Sequence, residues 1–218
     1  MSHCDFCDEF SGGDHNAFAS RYGRNANRDI TVSDFFHVVP SLGQIVEGHL
    51  LIVPTGHSCA LADLPDEQIH DLESICQQVR VSLRDVYGDC VFFEHGIRRE
   101  GSGGCGIDHA HLHAVPTSAH GVLGVLLENF QGSRVYSFSD ITTTVSFDSS
   151  YLFFEDAAAQ RFVFEIDKLR SQYMRKLVSE SIGKEVWDWR VAGHEPELVA
   201  TVERLSLTLP RLFSASRG

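Results

Sequence analysis

The chain has 218 residues and a formal net charge of −12, with 18 lysines and arginines against 30 aspartates and glutamates. This acidic balance argues against a protein that binds long nucleic acid, because such binding needs clustered cations facing the phosphates. A hydrophobic fraction of 43% and a charged fraction of 22% are ordinary for a globular protein with a substantial core.

The N-terminal segment, the apolar stretches and the cysteines together predict the compartment of the protein. The acidic opening MSHCDFCDEF lacks the basic flank and apolar run of a signal peptide, and no apolar stretch approaches the roughly 18–20 residues of a membrane helix. We therefore expect a cytoplasmic protein with no membrane partner. Its six cysteines are then expected to be thiols or metal ligands rather than disulfides.

The first 116 residues alternate predicted strands with one long helix. The helix is predicted over 66–87, where apolar residues recur at spacings of three and four before Gly88. This stripe consists of Ile69, Leu72, Cys76, Val79, Leu83 and Val86. A polar segment is predicted to be irregular over 14–31, and aromatic and β-branched runs predict strands over 34–39, 49–53, 90–94 and 109–115.

The last hundred residues carry weaker patterns. Asp167 is expected to cap a helix that runs to Gly183, and a final helix is expected to follow Pro196. Strands are expected over 134–138, 141–147, 151–154 and 161–166. The whole pattern predicts an α+β fold with a largely antiparallel sheet, in which residues 118–218 form a C-terminal α/β extension packed on the domain of residues 1–117.

The segment Asp108-His109-Ala110-His111-Leu112-His113 contains three histidines that alternate with small or apolar residues. In a strand this alternation places the three imidazoles on one face, roughly 7 Å apart, and turns Ala110, Leu112 and Ala114 into a core. Incidental histidines are improbable at this density. A single metal held by all three is also disfavoured, because the outer two are too far apart to share it comfortably.

This segment resembles the signature of the histidine-triad (HIT) superfamily, His-φ-His-φ-His-φ-φ, where φ is apolar. Two further stretches, GHLLIVPTGH at 48–57 and the glycine-rich GSGGCGID before the triad, are also similar. The resemblance implies a HIT-like fold, a homodimer and no organic cofactor. It also implies that His111 attacks a substrate phosphorus and forms a transient nucleotidyl-histidine.

The resemblance assigns substrate contacts as well. His113 and the backbone amides of a glycine-rich loop would hold the phosphoryl oxygens, the loop residues being Gly103, Gly104, Cys105 and Gly106. His49 either supports the site from the neighbouring strand or is a satisfied core histidine. Glu94 stands where the family usually has an asparagine, and it would repel a phosphate unless it binds a ribose or a cationic leaving group.

Cys4 and Cys7 form a C-x2-C pair, which is half of a zinc site. In similar family members the pair is completed by the histidine after the Pro-x-x step and by the first triad histidine, which here are His57 and His109. The resemblance therefore implies a structural Cys2His2 zinc. His3 is a competing ligand, and two free thiols at a frayed terminus are the alternative without metal.

These interpretations lead to a functional expectation. The protein is predicted to be a hydrolase that releases a nucleoside monophosphate from a phosphate-linked leaving group, with a small nucleotide as its partner. Nucleotidyl transfer and non-catalytic nucleotide binding are the alternatives, and the intact His113 favours hydrolysis, since the transferase branch usually has glutamine there. In the C-terminal region, Arg175 and Arg190 either reach the substrate or lie on a solvated helix face.

Overall fold

A computed structural model describes residues 3–98, 106–191 and 195–209. These residues form one mixed structure of strands and helices. In chain order the elements are α1 (Asp5–Phe10), α2 (Ala17–Tyr22), β1 (Thr31–Val32), β2 (Phe36–Pro40), β3 (Leu50–Pro54), a 3₁₀ turn (Leu61–Asp63), α3 (Asp66–Tyr87), β4 (Val91–Gly96), β5 (Leu112–Val115), α4 (Val122–Asn129), β6 (Gly132–Val135), α5 (Ser139–Thr144), β7 (Ser150–Glu155), β8 (Arg161–Ile166), α6 (Tyr173–Ser181) and α7 (Glu195–Leu205).

The strands form one eight-stranded sheet in the order β1-β2-β3-β5-β4-β7-β8-β6, and every neighbouring pair is antiparallel. The predicted α+β class with an antiparallel sheet is confirmed. Because β7 pairs with β4 along Phe92–Gly96, the strands of the C-terminal half continue the sheet of the first half. The division into residues 1–117 and 118–218 stays a prediction.

One face of the sheet packs against α3. Alternate residues of β5, Leu112 and Ala114, are buried there with the apolar stripe of α3, as the period-two pattern predicts. Helix α3 has the predicted bounds, and Leu72, Val79 and Leu83 on its inner side have no exposed surface. This layer is the largest apolar cluster of the described residues, and it leaves the alternate side chains of β5 to the opposite face.

The opposite face packs against α4 and α6 at one end of the sheet. Val91, Phe93 and Val115 are buried there with Leu126 of α4 and Val178 of α6, among others. His113 belongs to this second face, since it alternates with Leu112 and Ala114 and pairs with Phe93 across the strands. The triad therefore lies on the side of the sheet that the C-terminal segment covers.

The strand predicted over 141–147 is wrong, because Ser139–Thr144 forms helix α5. The β-branched run suggested a strand, but local polar bonds favour the helix. The Asp140 carboxylate accepts hydrogen bonds from the backbone N–H groups of Tyr136 and Ser137 at 2.8 and 2.9 Å, and the three threonine hydroxyls donate back to carbonyls of the preceding turn. Side-chain bonds of this kind compete with strand pairing.

Two further expectations are corrected. The helix predicted from Asp167 begins only at Tyr173, because Gln172 adopts a left-handed backbone with φ of 61° that interrupts a helix. The segment predicted to be irregular over 14–31 contains α2, whose first turn is capped by the Asn16 side chain accepting from the Ala19 N–H at 2.8 Å. Among the described residues, no helix combines the length and apolar character needed to cross a membrane.

Candidate active site and metal centre

His111 and His113 line one cavity on the second face of the sheet. Their ring centroids lie 4.9 Å apart, and each side chain is only 7% exposed. Regular pairing begins at Leu112 rather than at the predicted residue 109, so His109 and His111 precede the strand. This break from the strand lets the side chains of His109 and His111 reach different sites.

A backbone carbonyl sets the tautomer of His111. The Nδ1 of His111 lies 2.7 Å from the carbonyl oxygen of His109. Because a carbonyl oxygen only accepts, Nδ1 carries the proton, and in the neutral ring Nε2 keeps its lone pair. A neutral imidazole in this tautomer is the form that attacks an electrophile through Nε2.

A chain of hydrogen bonds sets the tautomer of His113 in the same way. The backbone N–H of Ile45 donates to Nδ1 of His49 at 3.3 Å, so that Nε2 of His49 carries a proton. That Nε2 lies 2.9 Å from Nδ1 of His113 and donates to it. The neutral His113 ring therefore carries its proton on Nε2, and it is stacked on Phe93 with centroids 4.4 Å apart.

Burial keeps these imidazoles neutral. Desolvation lowers the pKa of His111 to about 4, although the hydrogen bond to the His109 carbonyl opposes the shift. Desolvation also lowers the pKa of His49 and His113 well below the usual range, and the charge of Arg175 adds to the effect on all three. At neutral pH the site therefore presents unprotonated nitrogen on His111 and a neutral donor on His113.

A second cluster lies beside the cavity. The Sγ atoms of Cys4 and Cys7 and ring nitrogens of His57 and His109 all lie within 4.8 Å of one another. The sulfur–nitrogen distances are 3.3 Å for Cys4 to His109, 3.4 Å for Cys7 to His57 and 3.6 Å for Cys7 to His109. Tetrahedral zinc bonds to sulfur and nitrogen imply a separation of about 3.6 Å between such ligand atoms.

The surroundings of the cluster also suit a metal. Nε2 of His109 donates to the carbonyl of Pro54 at 2.9 Å, which leaves Nδ1 with its lone pair facing the sulfurs. His3, the competing ligand, lies outside the cluster and pairs with Asp5 at 3.4 Å. Burial and the neighbouring Cys4 raise the pKa of Cys7 to about 11, a cost that a bound cation offsets by stabilising the thiolate.

The cluster and the cavity share residues. His109 offers its ring to the cluster, while its carbonyl holds His111. Phe6, between the two cysteines, packs edge-on against the rings of both His109 and His111, with centroids 5.6 Å apart in each case. Phe6 and Asp5 also form part of the cavity wall. The C-x2-C helix therefore supports the cavity from the side.

The structure places Glu94 away from the cavity. Its side chain is 1% exposed and lies on the α3 face of β4, opposite Phe93 and His95. Its carboxylate accepts from the Tyr151 hydroxyl at 2.6 Å and from the Leu61 N–H at 2.8 Å. Glu94 thus supports the segment that follows His57, and it is not brought to the position of a substrate contact.

The glycine-rich loop is described only at its end. Gly103, Gly104 and Cys105 lie outside the described residues. Gly106 has a φ of 88° and approaches the C-terminal segment so closely that an added Cβ would lie 2.8 Å from a guanidinium nitrogen of Arg190 and 3.3 Å from the Ser171 hydroxyl. The end of the loop therefore lies against the C-terminal extension.

The C-terminal extension supplies one wall of the cavity. The sequence alone did not decide whether this region reaches the substrate. Arg175 is 3% exposed and contributes to this wall, so it does not lie on a solvated helix face. Trp189 packs with Phe18, Leu42 and the α7 residue Leu198. The described cavity wall combines Asp5, Phe6, Glu9, Ala17, Phe18, Arg28, Ser41, Leu42, Leu51, Phe93, His95, Ile107, His111, His113, Gln172, Tyr173, Met174, Arg175 and Trp189.

Sequence reasoning also missed His95. It follows Glu94 in β4 and shares the face of Phe93, so its ring reaches the cavity. Burial lowers its pKa to about 4, and its buried Nδ1 has no hydrogen-bond partner among the described residues. The two-residue period from Phe93 was the signal that could have identified it.

Residues 25–124 match the family model described as "Protein similar to CwfJ C-terminal". No curated protein matches the chain. Among solved structures, similarity is found to a Zn-bound histidine triad family protein from Mycobacterium smegmatis, with 21% identity, a TM-score of 0.39, and coverage of 52% of this chain and 73% of that chain.

Two further solved structures are similar. A member of the HIT family from Bacillus subtilis has 16% identity and a TM-score of 0.42, with coverage of 55% of this chain and 77% of that chain. A hypothetical histidine triad nucleotide-binding protein from Sulfolobus tokodaii has 19% identity and a TM-score of 0.39, with coverage of 52% and 68%.

Proposed function

We propose that this chain, whose His109–His113 segment resembles the histidine-triad motif, is a hydrolase that releases a nucleoside monophosphate from a phosphate-linked leaving group. Candidate substrates are nucleotide conjugates, dinucleoside polyphosphates and nucleoside phosphoramidates. The observation that carries the proposal is the geometry of His111: it is buried in a cavity and held through Nδ1, so that Nε2 of the neutral ring keeps its lone pair.

In the first step, the lone pair of His111 Nε2 attacks the phosphorus. A P–N bond forms, and the bond from phosphorus to the leaving group breaks with its electron pair going to the leaving group. His113 Nε2–H donates a hydrogen bond to a phosphoryl oxygen, and the His49 relay holds that proton on the cavity side. Splitting the displacement in two lowers each barrier.

In the second step, water attacks the same phosphorus and the P–N bond breaks, so that the electron pair returns to His111 Nε2. The water oxygen ends on the nucleoside monophosphate. Of the two water protons, one balances the leaving group and the other passes to solvent or to the product. His111 regains its starting tautomer because the His109 carbonyl still accepts from Nδ1.

We also propose that Cys4, Cys7, His57 and His109 hold a structural zinc, as their donor distances support. Zinc would supply rigidity to α1 and polarise its ligands. The chemical steps above are written without it, because His109 offers its ring to the cluster and its carbonyl to His111.

The test is a mass-spectrometric screen of zinc-loaded protein against the three substrate classes. Wild type is expected to release a nucleoside monophosphate and to carry a transient mass increase of one nucleotidyl group. His111→Ala should lose both, with kcat lowered by at least about 1000-fold. His70→Ala, which changes an exposed histidine on α3, is the matched control and should behave as wild type.

Two outcomes would contradict the proposal. If folded, zinc-loaded wild type leaves every conjugate intact, the hydrolase reading fails. If His111→Ala turns over as fast as His70→Ala, another group is the nucleophile. Transfer of the nucleotidyl group to added phosphate, instead of water, would identify the transferase alternative.

A further inference from the structure

Arg175 is a buried cation that forms no salt bridge among the described residues, although the charge of Asp188 acts on it from a longer distance. Its side chain is 3% exposed, and its guanidinium donates to the Trp187 carbonyl at 2.9 Å, to the Ser41 hydroxyl at 3.0 Å and to the Gly43 carbonyl. All three acceptors are neutral oxygens. No salt bridge joins Arg175 to an acidic side chain in the described part of the chain, although a buried charge normally requires a partner.

Arg28, unlike Arg175, forms a salt bridge with a carboxylate. Arg28 is equally buried and lines the same cavity, but both its Nε and Nη2 donate to the Glu9 carboxylate, at 2.7 and 2.8 Å. The charge of Arg28 is therefore neutralised within the protein. Asp5, the remaining acidic side chain of the described cavity wall, lies 3.4 Å from His3. Arg175 is therefore the described arginine of this wall that is not neutralised by a salt bridge.

We propose that Arg175 binds the phosphoryl oxygens of the substrate and thereby supplies the anion subsite of the cavity. This inference rests on the proposed function and names the residue that recognises the reacting group. Arg175 lines the cavity together with His111 and His113. It has five N–H donors, of which the three bonds above use three, so two are left for a ligand.

A phosphate-class anion fits these donors, and the proposed function selects it over a carboxylate, which a guanidinium binds in the same way. A planar guanidinium matches the oxygens of a phosphate in a two-point contact. The chain as a whole carries a net charge of −12, so an anionic substrate needs a local cation to enter a buried site. Burial lowers the pKa of Arg175 to about 9, which still leaves the side chain charged at neutral pH, and a bound anion would stabilise that charge.

The surrounding segment holds Arg175 in place. Gln172, one turn earlier, adopts a left-handed backbone and donates to the Asp188 carboxylate at 2.7 Å. Its side-chain oxygen accepts from the Trp189 N–H at 3.1 Å. A non-glycine residue in this conformation costs energy, which the tertiary bonds around it offset. The C-terminal extension is thus organised before any ligand arrives.

The experiment measures binding of inorganic phosphate and AMP, with adenosine as the uncharged comparison, by calorimetry on zinc-loaded protein. Arg175→Gln is expected to weaken binding of phosphate and AMP by about 10- to 100-fold, as for loss of charged hydrogen bonds. Adenosine binding should not change. Arg84→Gln removes one charge from the outer side of α3, where Arg84 contacts the Ala157 carbonyl, and should bind as wild type.

A second measurement, made on the wild-type protein, tests the inference even if Arg175→Gln does not fold. The side-chain ¹⁵N–¹H signals of Arg175 in the wild-type protein, assigned by their absence from Arg175→Lys, should shift on titration with phosphate. Unshifted signals, or folded Arg175→Gln that binds AMP as tightly as wild type, would overturn the inference. If the signals shift but no conjugate is ever cleaved, the anion subsite stands and the hydrolase proposal fails.

Discussion

Replacing Glu94 with glutamine tests whether this carboxyl is a structural support or a substrate contact. Glu94 is 1% exposed, and burial raises its pKa from 4.5 to about 8 despite the hydrogen bonds from Tyr151 and Leu61. The other charges that act on it are Asp63, which raises the pKa, and Arg98, which lowers it. Glutamine has nearly the same shape and does not titrate.

The sign of the pH dependence follows from the raised pKa. Between pH 4.5 and about 8 the folded protein holds a proton on Glu94 that the unfolded chain has released. The free energy of unfolding therefore falls with rising pH by about 1.4 kcal/mol per unit across this window. The stabilisation is complete below pH 4.5, and on the order of 5 kcal/mol of it is lost by about pH 8.

Urea denaturation at several pH values from 6.5 to 8 measures this effect without acidifying the cysteine and histidine cluster. Wild type should lose about 2 kcal/mol more stability across that range than Glu94→Gln does. Glu67→Gln, at an exposed position of α3, should keep the wild-type slope. If the free energy of unfolding has the same pH slope in wild type and Glu94→Gln, Glu94 does not titrate as described. If Glu94→Gln instead loses turnover without losing stability, Glu94 is a substrate contact.

Three further outcomes are expected. Chelation of the metal or Cys7→Ser should lower the thermal midpoint and the zinc content together, checked by calorimetry and metal analysis; an unchanged midpoint would contradict a structural zinc. His49→Leu should lower kcat by about 10- to 100-fold because His113 loses its donor, and His49→Gln, whose amide still donates, should recover part of it. Gly96→Ala places a Cβ 2.2 Å from a ring carbon of Tyr151 in β7, so it should lower the free energy of unfolding by about 1–3 kcal/mol in urea denaturation. Gly124→Ala is the control, because its Cβ would meet nothing within 4 Å and should not destabilise the protein.

Patterns that repeat along the chain were sufficient to predict much of the fold. The three-and-four spacing of α3 gave its bounds, Asp66–Tyr87, and the alternation around the triad placed Leu112 and Ala114 in the core. The four cluster residues came from the family resemblance, and the structure brings their donor atoms together. In each case neighbouring residues repeat one physical preference, which a single sequence displays directly.

Features that depend on distant contacts could not be predicted in this way. The helix at Ser139–Thr144 depends on the Asp140 carboxylate, and its threonines carry the same β-branched signal as a strand. Arg175 follows the buried Met174 in an amphipathic helix, and nothing local distinguishes it from a solvated cation. Its role becomes visible only when the loop of Ser41 and Gly43, 134 and 132 residues earlier in the chain, is seen to surround it.

The position of Phe6 would link the affinity for the proposed zinc to the affinity for a cavity ligand. Its ring touches both His109 in the cluster and His111 in the cavity, and the helix that carries it is held to the cluster by Cys4 and Cys7. If zinc orders this helix and thereby improves binding in the cavity by some factor, a cavity ligand must improve zinc binding by the same factor. Under the two proposals together, zinc depletion would weaken substrate binding, and abundant substrate would slow the loss of the metal.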